Sequence, residues 1–196
     1  MPPIADAASA STPQADAEAR AFDSRRFRDA MGQFATGVVV ISTEFQGEAH
    51  AMTANAFMSG SLEPPLVLVS VACTARMHAR IRESAGFSVS VLAQTQQALS
   101  NHFAGKPMRD SVPAFERLGG LPVVAGATVQ LTATLRHDYA CGDHTLFVGE
   151  VSHLRLPPER PSPLLFHGGR YGRLSPPDWS SEAVAEGFWA QHEYRW

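Results

Sequence analysis

The chain has 196 residues, of which 44% are hydrophobic, and its formal net charge is −3. A chain of this size is expected to bury a core within a single domain. The slight negative charge gives no indication of nucleic acid or an anionic membrane as a partner, and no apolar run approaches the roughly 20 residues of a membrane helix. Residues 1–21 lack the basic start and apolar stretch of a secretory signal. We therefore expect a disordered N-terminal tail on a cytoplasmic protein.

The first half of the chain is predicted to contain one helix and three strands. Apolar residues at helical spacing indicate the helix, which Asp23 or Ser24 caps. β-branched and apolar runs indicate the strands, and Gly47 indicates a hairpin turn. In chain order the predicted elements are a helix over 22–35, a strand over 38–43, a turn over 44–48, and strands over 50–57 and 66–71.

The second half alternates short helices with longer strands. Thr95 is predicted to cap a helix that ends at Phe103, and Gly149-Glu150 is predicted to form a β-bulge. The predicted elements are a helix over 76–82, a strand over 87–91, a helix over 95–103, a polar loop with one short helical piece over 106–122, strands over 128–139, 145–156 and 164–166, and a helix over 181–192.

These elements predict a mainly β fold with six or seven strands and two or three short helices. The strands are joined mostly by turns, which differs from the βαβ alternation of a doubly wound fold. A Greek-key barrel with helices outside it fits the order better. The sequence has neither GxGxxG nor GxxxxGK[ST], so the usual dinucleotide and phosphate-loop fingerprints are absent.

Residues 51–61 (AMTANAFMSGS) are rich in small and hydroxylated residues and precede Pro64-Pro65. Small side chains allow a planar ligand such as a flavin to approach backbone N–H and C=O groups. An edge strand with a serine-rich turn explains the same residues without a ligand. Composition alone favours that second interpretation.

Four further segments are candidate ligand contacts. Thr74 to His78 open a helix whose free N–H groups attract phosphate, with Arg76 as a fixed charge. Phe103 ends a helix and could pack on a planar ligand. Each segment also has an ordinary structural interpretation, namely a capped surface helix and a core phenylalanine.

The other two segments are GDHT (142–145) and GGRYG (168–172). In the first, Asp143 could orient His144, which could hydrogen-bond a carboxamide or a phosphate. In the second, a flexible backbone carries Arg170 and Tyr171 and could close over a ligand. A plain β-turn and a plain loop account for the same residues.

Metal and hydrolase chemistries find little support. The eight histidines show no HxH, HExxH or Cys/His spacing, so we expect no bound metal. Cys73 and Cys141 are far apart in the sequence and are expected to be reduced thiols. There is no GxSxG nucleophile elbow.

Six sequence blocks, in order and spacing, resemble the flavin reductase-like family, the small reductase components of two-component flavin-dependent monooxygenases. They run from about Phe27 to Leu174, and MTANAF followed by PPLVL is the most diagnostic pair. We expect a family domain over 22–175 and a C-terminal extension over 176–196. The blocks are FATGVVVIST, MTANAFMSGSLEPPLVLVSV, GFSVSVL, HFAG, GDHTLFVGEV and PLLFHGGRYGRL.

The resemblance implies a dimeric split β-barrel of the FMN-binding type, which transfers hydride from NADH or NADPH to free FAD or FMN. Reduced flavin would then serve a separate monooxygenase. The choice within each cofactor pair stays open. Two alternative functions also stay open, namely a flavin-binding redox protein without reductase turnover and an oxidase on the same barrel.

The resemblance also assigns residues by motif position. Three residues, Thr74, Arg76 and His78, would hold the ribityl and phosphate groups, and Phe103 would border the ring. His144, with Tyr171, would orient the nicotinamide without acting as an acid or base, and Thr145 beside it is included among the cofactor contacts. The flavin-ring contacts would be Thr36, Gly37, Val38, Val39, Thr53, Ala54 and Asn55, with Ser59 and Gly60 nearby.

Overall fold

The computed structural model describes residues 23–109, 113–159 and 161–174, which form a mainly β structure. The helices are α1 (Ser24–Met31), α2 (Arg76–Ser84) and α3 (Gln97–Phe103), the last preceded by a 3₁₀ turn at Gln94–Gln96. The strands are β1 (Thr36–Gly37), β2 (Val39–Phe45), β3 (Glu48–Ala54), β4 (Phe57–Leu62), β5 (Pro65–Ala72), β6 (Gly86–Val91), β7 (Phe115–Leu118), β8 (Leu121–Val124), β9 (Val129–Cys141), β10 (His144–Arg155), β11 (Leu165–His167) and β12 (Arg170–Gly172). No helix within these ranges is long and apolar enough to cross a membrane.

Seven strands form one antiparallel sheet in the order β3-β2-β6-β9-β10-β5-β4. Its two edge strands, β3 and β4, are consecutive in the chain and are joined only by Asn55 and Ala56. A flat sheet of seven strands would be about 29 Å wide, whereas the three residue steps from Ala54 to Phe57 span at most about 11 Å. The sheet must therefore curve until its two edges approach each other, and Asn55 lies where they meet.

The segment that enters β2 is buried on both faces because successive side chains point to opposite sides of a strand. Val39 and Ile41 lie in one core, and Val38 and Val40 lie in another. The first core fills the curved sheet, and the second lies beneath α3, β8 and β11. Two-sided burial explains the unbroken β-branched run of the sequence.

The predicted polar loop over 106–122 is wrong in its second half. Strands β7 and β8 form a hairpin there, which turns at Gly119 and Gly120 with φ of 54° and 88°. The Ser42 hydroxyl donates to the Pro122 carbonyl oxygen at 2.8 Å and ties the hairpin to β2. Because a proline and two charged residues interrupt the strand pattern, only this tertiary contact decides the conformation.

The predicted number of strands is also wrong, since the described residues form twelve. The predicted strand over 50–57 ends at Ala54, and β4 begins at Phe57. Strand β12 and the two-residue β1 lie in segments that were expected to be loops, and they join β11 in a small sheet. Such short strands carry too few side chains to show a periodicity.

Asp23 caps α1 as predicted, with its carboxylate accepting from the Arg25 N–H at 2.8 Å. The helix ends at Met31 rather than at residue 35. The predicted Thr95 cap is wrong: a 3₁₀ turn precedes α3, and the Gln96 side chain accepts from the Ala93 N–H at 2.9 Å. The predicted helix over 181–192 lies outside the described residues.

A register shift occurs beside Gly149 as predicted, but the extra residue is Arg136 of the partner strand β9. A second shift in the same pairing lies at Ser152 of β10, and a third lies at Gly60 of β4, opposite Val67 and Leu66. The predicted hairpin turn over 44–48 is confirmed at Gln46 and Gly47, which both have positive φ. Bulges of this kind add local twist and so support the curvature of the sheet.

Candidate functional site

A cleft of about 180 Å³ lies where the end of β3 meets α3 and the small β11–β12 sheet. Four of its lining residues, all predicted ligand contacts, come from the segments before β2 and at the end of β3. The other four come from α3 and from β11–β12. The lining residues are Val38, Thr53, Ala54, Asn55, Ser100, Ala104, Phe166 and Tyr171.

Thr53 fastens α3 to β3 along one wall of the cleft. Its hydroxyl donates to the Ser100 carbonyl oxygen at 2.7 Å. The single hydroxyl proton is thereby used, so Thr53 can offer a ligand only its lone pairs. Ala54 follows with a methyl group and leaves the backbone accessible.

A chain of hydroxyls fixes the opposite wall. The Tyr171 hydroxyl donates to the Asn101 side-chain oxygen at 3.1 Å. It also lies 2.8 Å from the Ser100 hydroxyl, which must therefore donate to it. The chain orients the Tyr171 ring, whose edge-to-face neighbour is Phe166 at 5.5 Å between ring centroids.

Asn55 is exposed, and its side chain makes no hydrogen bond within the described part of the chain. It also lines an adjoining cavity of about 510 Å³ together with Thr36 and residues of α1. The Thr36 hydroxyl is buried there without a hydrogen-bond partner. An unsatisfied buried hydroxyl costs about 1–3 kcal/mol. A free amide and an orphaned hydroxyl beside one cleft fit a ligand with several in-plane donors and acceptors.

The other two residues of the predicted TGVV segment offer a ligand less. Gly37 is exposed in β1, and a Cβ placed on it would meet nothing within 4 Å. The Val39 side chain belongs to the first core, so only its backbone could face a ligand.

A larger cavity of about 440 Å³ lies at the other side of α3, between β3 and α2. Arg76 and Phe103, both predicted contacts, line it. It also receives side chains that sequence reasoning did not assign to the site, namely His50, Arg80 and His102. The structure therefore brings Arg76 and Phe103 to one cavity, with α3 between Phe103 and the cleft at Thr53, and their roles as phosphate and ring contacts stay predictions.

Asp143 and His144 stand at the turn between β9 and β10. The Asp143 carboxylate lies 2.7 Å from His144 Nδ1. This hydrogen bond and the charge of His144 lower the pKa of Asp143 below its ordinary value. Because an ionised carboxylate only accepts, Nδ1 carries a proton, and Nε2 is an acceptor in the neutral form of the ring. His144 pairs with Ala72 of β5, shortly before the segment that carries Arg76.

His78 and Thr145, two further predicted contacts, form a hydrogen bond with each other. His78 Nε2 lies 2.8 Å from the Thr145 hydroxyl, and the His78 ring packs edge-on against Phe147. Thr145 is buried, with 3% of its surface exposed. These contacts anchor α2 to β10, and a ligand role for either residue stays a prediction.

Three more predicted contacts, like Gly37, Val39, His78, His144 and Thr145, are not among the residues that line these cavities. Ser59 and Gly60 are exposed on the edge strand β4, and Thr74 is exposed between β5 and α2. Gly60 is the extra residue of the bulge in β4, and a Cβ on it would stand 2.3 Å from the end of the Leu68 side chain. No cluster of three or more His, Cys, Asp or Glu side chains in the described ranges is placed to hold a metal ion.

Ser100, Phe166 and Arg80 are the important residues that sequence reasoning missed. Ser100 is a helix residue whose role depends on contacts with Thr53 and Tyr171, both remote in sequence. Phe166 lines both the cleft and the cavity beside it. Arg80 falls one helical turn after Arg76, and that i, i+4 spacing is the signal that could have identified it.

A curved antiparallel sheet with a small-residue cleft beside a cation-lined cavity is an arrangement that fits a planar, phosphate-bearing ligand. The sequence model of the family described as "Flavin reductase like domain" matches residues 31–175. The chain belongs to this family, as its sequence blocks predicted, and is thereby an oxidoreductase of the flavin reductase class.

Known proteins similar to this chain include two curated relatives and a solved structure. The chain is 41% identical over 150 residues to an NADH-dependent flavin reductase from a Rhodococcus species, covering 75% of this chain and 84% of the relative. It is 38% identical over 148 residues to the reductase component of 4-hydroxyphenylacetate 3-monooxygenase from Thermus thermophilus, covering 76% and 95%. Its fold matches that of the flavin reductase PheA2 with a TM-score of 0.75 and 47% identity, covering 79% of this chain and 99% of that structure.

Proposed function

We propose that this chain transfers hydride from NADH to free FAD or FMN and releases the reduced flavin to a separate monooxygenase. The observation that carries the proposal is the cleft at Thr53-Ala54-Asn55, where small side chains and a free amide meet, with the orphaned Thr36 hydroxyl at the adjoining cavity that Asn55 also lines. We propose NADH rather than NADPH as the hydride donor, since the Rhodococcus relative is NADH-dependent. The Thermus relative, a monooxygenase reductase component, supports the oxygenase as partner.

The flavin ring matches the polar groups of the cleft. Its N3–H is a donor, which the lone pairs of the Thr53 hydroxyl can accept. Its carbonyl oxygens are acceptors, which the Asn55 amide and the Thr36 hydroxyl can satisfy. Most ring contacts would be uncharged and few, so affinity is moderate and the product can leave.

Hydride transfer needs orientation more than acid or base groups, since the nicotinamide and the flavin supply the redox chemistry. His144 is assigned the role of orienting the pyridine nucleotide. Asp143 holds its Nδ1, which leaves Nε2 to accept from the carboxamide N–H₂. His144 is 43% exposed at its side chain and can be reached by a second ligand.

We assign the sheet to the split β-barrel type, and we propose a homodimer. The short Asn55-Ala56 link between the two edge strands supports a barrel-like curvature. For the dimer, the support is an apolar patch formed by Met31 and Phe34, which are 55% and 76% exposed. Both residues line the cavity beside the cleft, so a second copy there would complete the flavin site.

The domain limits and the location are also part of the proposal. The tail over 1–21 and the extension over 176–196 lie outside the described residues, while the family match over 31–175 supports the domain between them. A cytoplasmic location would supply pyridine nucleotide and keep Cys73 and Cys141 reduced.

The test is oxidation of NADH and NADPH by the purified chain, each crossed with FAD, FMN and no flavin. We expect multiple turnovers that require added flavin and that are faster with NADH. Binding of one flavin per chain without turnover would instead identify a flavin-binding protein. Turnover with an organic substrate and no added flavin would identify an oxidase.

A further inference from the structure

The cavity between β3, α2 and α3 has an unusual charge distribution for a surface of an acidic protein. Its lining includes Arg76, Arg80, His50 and His102, and no acidic residue is among the described residues that line it. At about 440 Å³ it falls within the usual size of small-molecule sites, about 300–1,000 Å³. A single phosphate would fill only a small part of it.

Neither arginine of this cavity is ion-paired with an acidic side chain in the part of the chain that the structure describes. Arg82, on the same helix, is ion-paired with Asp138 at 2.6 Å. Arg76 makes no ion pair within the described ranges, and Arg80 has only a cation–π contact with the Phe45 ring at 5.7 Å. Unpaired guanidinium groups around a concave surface bind a multiply charged anion well.

His102 adds a neutral donor. Its Nδ1 accepts the Met108 backbone N–H at 3.0 Å, so Nδ1 carries no proton. The ring is therefore the tautomer with its proton on Nε2, and that N–H is available to a ligand oxygen. Next to it, Phe103 offers an aromatic surface of the kind on which a planar base packs.

The cavity lies next to the flavin cleft along β3, on the other side of α3. Thr53 to Asn55 line the cleft, and His50 to Met52 line the cavity. Four residues of strand span about 13 Å, a distance that the ribityl chain and the phosphates of a flavin can bridge. α3 separates the two spaces, with Ser100 and Ala104 towards the cleft and Phe103 towards the cavity.

We propose that this cavity is a subsite for the diphosphate and adenosine of FAD, and that Arg80 makes the chain selective for FAD over FMN. The inference rests on the proposed flavin reduction and adds the identity of the preferred flavin. Arg76 serves the phosphate that FMN and FAD share. Arg80, a turn further along α2, serves the second phosphate, which only FAD has.

The test compares the Arg80→Gln variant with wild type in NADH oxidation with FAD, FMN and riboflavin. We expect the KM for FAD to rise about tenfold, because one charge-assisted hydrogen bond is lost. The KM values for FMN and riboflavin should stay unchanged. Arg80→Lys should restore part of the FAD affinity because it keeps the charge. Arg82→Gln is the matched control on the same helix and should leave all three values unchanged.

Calorimetry with ADP, in the absence of NADH, tests the subsite without turnover. Wild type should bind ADP in competition with FAD and not with riboflavin, and Arg80→Gln should weaken ADP binding about tenfold. An equal rise in KM for FMN and FAD would overturn the assignment, as would ADP competition against NADH alone. If the subsite proposal is wrong and the proposed function is right, the protein still reduces riboflavin. If the protein binds ADP but reduces no flavin, only the proposed reductase activity is refuted.

Discussion

Thr53 and Asn55 are two residues apart and use their polar groups differently. The Thr53 hydroxyl donates to the Ser100 carbonyl oxygen, whereas the Asn55 amide has no hydrogen bond within the described chain. Thr53 therefore contributes to stability and supplies only an acceptor to a ligand. The Asn55 amide has no such structural hydrogen bond and can use all its donors and acceptors on a ligand.

We predict that Asn55→Ala raises the Kd for flavin about fivefold, the loss of one neutral hydrogen bond, and leaves the free energy of unfolding unchanged. Thr53→Val should lower the free energy of unfolding by about 1 kcal/mol, since the bond to Ser100 is lost. Flavin fluorescence titration and urea unfolding measure the two effects. Destabilisation of the Asn55 variant would show that its side chain has a structural role.

Thr36 provides a test in which binding and stability change in opposite directions. Its hydroxyl is buried and unpaired, so Thr36→Val removes an unfavourable group from the free protein. We predict a melting temperature equal to or above that of wild type, together with a Kd for flavin about fivefold higher. Thr36→Ser, which keeps the hydroxyl, is the control and should bind flavin like wild type. Unchanged flavin binding by the valine variant would exclude Thr36 from the ring contacts.

For His144, we predict that His144→Ala raises the KM for NADH about fivefold without changing the KM for flavin. Asp143→Asn should have a smaller effect in the same direction, because Nδ1 keeps a neutral acceptor. The lowered pKa of Asp143 means that its pairing is present above the ordinary carboxyl pKa and is lost only as the pH falls through the lowered value. The Asp143 carboxylate is therefore ionised at every pH from about 6 to 8, the range in which the kinetics are compared. Steady-state kinetics with both substrates varied provide the measurement.

At the scale of elements, strand pairing leaves little free space around Gly149. A Cβ at this position would lie 2.7 Å from the Phe87 ring and 2.8 Å from the Ala133 Cβ. The glycine thus allows β10 to pass close to the first core at the point where Arg136 bulges out of β9. Close approach, rather than a special φ, explains this residue.

We predict that Gly149→Ala lowers the free energy of unfolding by about 1–3 kcal/mol, as overpacked cores do. Gly37→Ala is the control, because its Cβ would meet nothing within 4 Å. Chemical denaturation of both variants distinguishes the two cases. Equal stability of Gly149→Ala and wild type would mean that β9 and β10 can move apart without cost.

At the scale of the molecule, assembly and the flavin site are expected to be linked through α1. Phe34 and Met31 are exposed apolar residues at the cavity that Thr36 and Asn55 share. A second copy packed on this patch would exclude water from the site. Flavin affinity would then depend on protein concentration.

We predict that Phe34→Asp shifts the chain towards monomer and raises the KM for flavin, because a charge in an apolar interface is unfavourable. Phe34→Leu keeps the apolar surface and should stay dimeric. Sedimentation equilibrium and kinetics on the same samples provide the measurement. A Phe34→Asp variant that remains dimeric, with an unchanged KM, would place the interface elsewhere.

The sequence by itself determined the family, the mainly β class and the segment Thr53-Ala54-Asn55 as one wall of the cleft. It could do so because an uninterrupted β-branched run and a set of ordered blocks are local properties of the chain. It also singled out Arg76 and Phe103, which line the cavity between β3, α2 and α3. These two residues stand at the ends of helices that the sequence pattern predicts. The hairpin β7–β8 and the short strands escaped it because prolines, charges and short length hide their alternation.

Tertiary structure alone decided which side chains are free to bind. Thr145 and His78 became partners of each other, Thr53 became fixed to Ser100, and Thr36 was left with an unpaired buried hydroxyl. It also placed His102 of α3 beside Arg76 and Arg80 of α2 around one cavity, although the two helices are separate elements. Hydrogen bonding and charge pairing between distant segments depend on how the sheet curves, and no local pattern records that.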